Sequence, residues 1–78
     1  MTDEKLEAVM AKYFDGTTGS FRATLKHCNV ACKQNHIYLL TEHRFTEYVL
    51  NHKLDEIEST ISAMAGEEIK VSVERLKD

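Results

Sequence analysis

The sequence predicts an α+β domain, with three helices packed on one face of a small three-stranded sheet, in the order helix, helix, strand, strand, helix, strand. Three observations carry this expectation. Leu50, Leu54, Ile57, Ile61 and Met64 step by four and three along a single helical stripe. Ile69, Val71 and Val73 alternate with Lys70, Ser72 and Glu74, which is the period of a half-buried strand. Two short runs, Val30 to Lys33 and His36 to Leu40, flank Gln34-Asn35 as strands flank a turn. Three strands cannot bury an apolar face alone, so the helices must cover one side of the sheet.

Taken in order, Thr2 caps a first helix, with Asp3 and Glu4 favourably placed in its first turn. Leu6, Val9, Met10 and Tyr13 then repeat at helical spacing, and Asp15-Gly16 ends the run. Ser20 is the expected cap of a second helix, in which Phe21, Leu25 and Cys28 share a face. Gln34-Asn35 is the expected turn of the hairpin, although it is not a strong hairpin dipeptide. Thr41 is the expected cap of one long third helix, whose apolar stripe Phe45 and Val49 begin. Gly66 stops that helix where a residue of positive φ is needed. The charged tail from Arg75 to Asp78 should fray.

The length of 78 residues allows one domain with a modest core. A hydrophobic share of 42% with 29% charged residues excludes a disordered chain. No apolar run approaches the roughly 20 residues that span a bilayer, so no membrane partner is expected. The acidic, polar N-terminus is unlike a secretory signal, and a cytoplasmic protein, or a fragment of one, is expected. The net charge of −3 argues mildly against a dedicated nucleic-acid binder. Residues 16–41 nonetheless carry Arg22, Lys26 and Lys33 and no acid, so a local basic face is expected there.

Few residues invite chemistry. His27, Cys28, Cys32 and His36 are the one group with metal-ligand character. Zinc needs four converging ligands, whereas Cys28 falls at a helix end on an apolar face and Cys32 in a strand. No metal, no cofactor and no disulfide are expected. Nothing in the spacing suggests an activated thiol with an oriented base, a phosphate loop or a paired set of carboxylates. The domain is therefore expected not to be an enzyme.

Gly16-Thr17-Thr18-Gly19 joins two predicted helices, where a KH-type loop clamps a nucleic-acid backbone. In that case Gly16, Gly19, Arg22, Lys26 and Lys33 would contact a single strand. The alternative, which is favoured, is a plain helix-helix turn. The middle residues bring no cation, and Asp15 would repel a phosphate.

The run HIYLLTEHRFTEYVLNHKLDEIESTISAMAGEEIKVSVE, from His36 to Glu74, resembles a small bacterial replication domain. It has an apolar strand, a short polar cap, an aromatic opening a long helix, and a closing alternating strand. In first place it is similar to the C-terminal domain that follows the ATPase core of the DNA polymerase III gamma/tau clamp-loader subunit. In second place it is similar to the N-terminal domain of the replication initiator DnaA. That domain usually carries Trp where Val9 or Met10 and Val49 stand here, and Pro-Asn where Glu42-His43 stands. The resemblance implies a KH-like fold and a non-catalytic assembly module, cut from a longer replication protein. The partners it implies are other replisome subunits, with a homo-oligomer and weak single-stranded nucleic acid as further candidates. His43-Arg44-Phe45 resembles the initiator's Asn-Arg-Phe, which makes Phe45 a candidate protein contact, with Tyr48 beside it. The alternative for both aromatics is a place in the core, more so for Phe45, which opens the apolar stripe.

Overall fold

The computed structural model describes residues 1–76. Its elements are α1 (Asp3–Asp15), α2 (Gly19–Lys26), β1 (Asn29–Lys33), β2 (His36–Thr41), α3 (Arg44–His52), α4 (Leu54–Ala65) and β3 (Lys70–Arg75). The fold is α+β, and the described residues form four helices rather than the three expected. Among the described residues no helix is long and apolar enough to cross a membrane. Of the charged tail, Arg75 still belongs to β3, while Lys77 and Asp78 lie outside the described residues.

The sheet runs β1-β2-β3. β1 and β2 form an antiparallel hairpin, and β3 joins β2 in parallel, with Ile37 beside Val71 and Leu39 beside Val73. The hairpin closes through Gln34 and Asn35, at φ of 49° and 62°. Two consecutive positive φ values define a turn whose twist matches that of the strands. Asn35 tolerates this conformation, and its surroundings hold it. Its carbonyl accepts from Lys70 N at 3.0 Å, and its side chain donates to Glu67. Asp3 accepts from Gln34 N at 3.1 Å, which pins the start of α1 to the hairpin tip.

Alternation along β2 sorts the two faces. Ile37, Leu39 and Thr41 are buried, while His36, Tyr38 and Leu40 are half-buried on the other side. All four helices feed one core on the inner face, with Leu6, Met10, Leu25, Leu50, Ile57 and Ile61 packed against Ile37, Leu39 and Val71. Thr2 caps α1 as expected, accepting from Lys5 N at 3.2 Å. Gly66 ends α4 at φ 76°.

The long third helix is broken at Lys53, whose φ of −106° and ψ of 7° lie in the bridge region. Lys53 N bonds back to Leu50 O at 3.2 Å, and its own carbonyl accepts from Ile57 N at 2.9 Å to start α4. The break lets the two halves serve different neighbours. α3 packs on β2, β3 and α2, whereas α4 packs on α1 and β3.

Two caps also differ from expectation. Thr18, not Ser20, precedes α2, and it makes no side-chain cap bond. His43, not Thr41, precedes α3. Thr41 is instead a buried tie. Its hydroxyl donates to His27 O at 3.2 Å and accepts from His43 N at 3.1 Å, linking the end of α2 to the start of α3.

Candidate functional site

α3 is short and two-sided. Thr46 and Leu50, one turn apart, are buried, and Val49 is half-buried beside them. That choice of inner face turns Phe45 and Tyr48 outward. Phe45 is 73% exposed and Tyr48 60%. The apolar stripe thus over-reaches at its first residue: Phe45 does not join the core. Phe45 and Tyr48 lie three apart and share a face with His52, whose ring meets Tyr48 edge-on with centroids 4.4 Å apart. Arg44, Glu47, Tyr48, Asn51 and His52 shape a shallow depression of about 330 Å³, with Phe45 outside it. Among the described residues Arg44 has no carboxylate partner within salt-bridge distance. The face therefore offers two aromatic rings, a histidine and an unpaired guanidinium.

The glycine loop is built differently. Gly16 closes α1, donating to Lys12 O and Tyr13 O at 3.1 Å each, with φ at −82°. Thr17 N and the Thr17 hydroxyl both bond to Phe14 O, at 3.0 and 2.6 Å. Two of the loop's amides are thus spent on the helix behind it rather than aimed outward. Only Gly19, at φ 66°, uses the left-handed region. Arg22 lies over the Phe14 ring, 5.3 Å from its centroid. Lys26 flanks a cleft at the end of α2. Lys33 adjoins the hairpin tip that Asp3 holds, at the far end of α1 from the loop, about 20 Å away for a helix of this length. Gly19, Arg22 and Lys26 thus lie along α2 beside Gly16, whereas Lys33 stands apart from the loop.

The histidines and cysteines are likewise dispersed. Cys32 pairs with Ile37 on the inner face, while His36 pairs with Lys33 on the outer face, where it stacks on Tyr38 and bonds Ser72 Oγ at 2.6 Å. Cys28 Sγ donates to Leu25 O at 3.0 Å. His27 packs edge-on against His43. Among the described residues no three His, Cys, Asp or Glu side chains converge as metal ligands. Burial pushes the Cys28 thiol above its ordinary range. Burial, and then the charges of Glu7 and Asp3, do the same for Cys32. Neither sulfur is an activated thiolate.

Sequence reasoning missed the cleft between α1, α2 and β1, because it forms only when α1 packs against the hairpin. Compared with known proteins, the chain matches no family model, no curated protein and no solved structure.

Proposed function

We propose that this chain is a non-catalytic interaction and assembly module of a bacterial DNA replication protein, recognising a protein partner through α3. The carrying observation is the outward pair Phe45 and Tyr48. Large rings left in water on a rigid helix, beside an unpaired arginine, have the composition of an interface centre. The replication setting rests on the sequence resemblance, with the clamp-loader gamma/tau subunit first and the initiator DnaA second. An outward Phe45 supports the contact role that the initiator's Asn-Arg-Phe suggests for it. Other replisome subunits are the partners to test first.

The test uses purified clamp-loader and helicase subunits from the same organism, offered to the immobilised domain in a biosensor. Binding should weaken about 30-fold in Phe45→Ala or Tyr48→Ala, as for interface residues worth about 2 kcal/mol. The melting temperature should hold within a few degrees. No binding by any subunit would remove the replication setting, and binding indifferent to both substitutions would remove the α3 site.

A further inference from the structure

The two edges of the sheet are treated differently. At the β3 edge, α4 supplies bonding partners. Glu58 accepts from Val71 N at 3.0 Å, and Ser62 Oγ accepts from Ile69 N at 3.0 Å and donates to Ile69 O at 3.2 Å. Among the described residues no side chain bonds to the β1 backbone. The two-residue turn fixes which of its groups are free. Lys33 and His36 flank the turn as a hydrogen-bonded pair, so Ala31–Tyr38 and Asn29–Leu40 are hydrogen-bonded pairs as well. Val30 and Cys32 therefore point their N–H and C=O groups outward, away from β2. An uncovered row of this kind is a template for another strand.

Beside that edge, on the helical side, lies an apolar cleft of about 440 Å³. Val30 and Cys32 form its outer wall, and Met10, Phe14 and Leu25 line it within. Its ends carry opposite charges. Glu7 stands at the Cys32 end, close enough to raise that thiol. Lys26, the last residue of α2, stands at the other end, just before β1 begins.

We propose that the β1 edge and this cleft form an interface with a second copy of the chain. The two β1 strands pair antiparallel about a two-fold axis at Ala31, giving one continuous sheet. In that register Val30 of each copy faces Cys32 of the other, and all the outward backbone groups at these positions are bonded. The axis sets the Cys32 end of one cleft against the Val30 end of the next, so Glu7 meets Lys26 of the second copy twice. Lys33 falls opposite Asn29, and no like charges are forced together. A surface that is its own complement in backbone pattern, apolar wall and charge selects a second copy over an unrelated strand. α3 packs on β2 and β3, so Phe45 and Tyr48 remain free and are presented twice. The dimer stands or falls independently of what α3 binds.

Sedimentation equilibrium over a concentration series should show the 9.0 kDa chain approaching twice its mass. Glu7→Lys and Lys26→Glu should each raise the dissociation constant several-fold, and the double exchange should restore it. Residues opposed in a hydrogen-bonded antiparallel pair lie about 5.5 Å apart, within disulfide reach. Under mild oxidation Val30→Cys should therefore link two copies through the native Cys32, much faster than the control Ser59→Cys on the outside of α4. Circular dichroism keeps misfolding from imitating a lost dimer, since the substituted side chains are all exposed. A chain that stays monomeric at millimolar concentration overturns the proposal. So does a dimer indifferent to the charge exchange that links no faster through Val30→Cys than through Ser59→Cys.

Discussion

Truncating two apolar residues of α3, five positions apart, should have very unequal consequences for stability. Phe45 is 73% exposed, so only about a quarter of its surface is removed from water on folding. Full burial of such a side chain is worth about 1.5–3 kcal/mol, so this share is about 0.4–0.8 kcal/mol. Ala is also the better helix former by about 0.5 kcal/mol, which offsets most of that loss. Phe45→Ala should thus change stability by less than about 0.5 kcal/mol, a melting shift of at most about 4 °C. Leu50 is fully buried. Leu50→Ala removes transfer energy and leaves a cavity, at about 2–5 kcal/mol, so the melting temperature should fall by about 8 °C or more. A domain of this size has about 4–12 kcal/mol in total, so the upper end of that loss would unfold it near room temperature. Thermal melts followed by far-ultraviolet circular dichroism, with urea titrations for the m-value, separate the two. If Phe45→Ala costs as much as Leu50→Ala, Phe45 is part of the core and cannot be the free centre of a contact.

Three further outcomes are expected. Gly19→Ala should cost about 1 kcal/mol, because Gly19 alone of the loop glycines has positive φ, whereas Gly16→Ala, at φ −82° with only ordinary contacts around the new methyl, should be neutral within about 0.5 kcal/mol in urea unfolding. Ser62→Ala breaks both bonds to Ile69 and should destabilise by about 1–2 kcal/mol, with amide exchange fastest to rise at Ile69. The Asn35 hydrogen bond, and then that of the Met1 ammonium, hold the Glu67 carboxyl below its ordinary range. With the unfolded carboxyl at about 4.3, the stabilisation is complete at neutral pH and is lost as pH falls through the lower folded value. Glu67→Gln should therefore flatten the acid limb of the melting curve.

Much of the fold was legible locally. Thr2, Gly66 and the alternation around Val71 each act within a few residues, and each stands where the sequence placed it. The break at Lys53 was not legible. Leu50, Leu54 and Ile57 keep four-three spacing straight through it, with neither proline nor glycine to mark it. Both halves pack on β3, but α3 also reaches β2 and α2 while α4 reaches α1, and periodicity does not record that. The same stripe left Phe45 open between core and contact, because spacing alone cannot say where a buried face stops. Thr46, polar by composition, is the residue turned inward in its place. The cleft beside β1 depends on contacts between segments far apart in sequence, so no local pattern announces it.

The parallel placement of β3 also bears on how the chain is made. β2 ends at Thr41, yet the strand that covers its second side ends at Arg75. A ribosome adding about 5–20 residues per second needs roughly 2–7 s to supply that interval. Until β3 docks, the middle strand of the sheet has one flank bare. A nascent chain in this state exposes Ile37 and Leu39 beside unbonded backbone. A chain that has formed the hairpin but has not yet docked β3 is thus the state most open to aggregation.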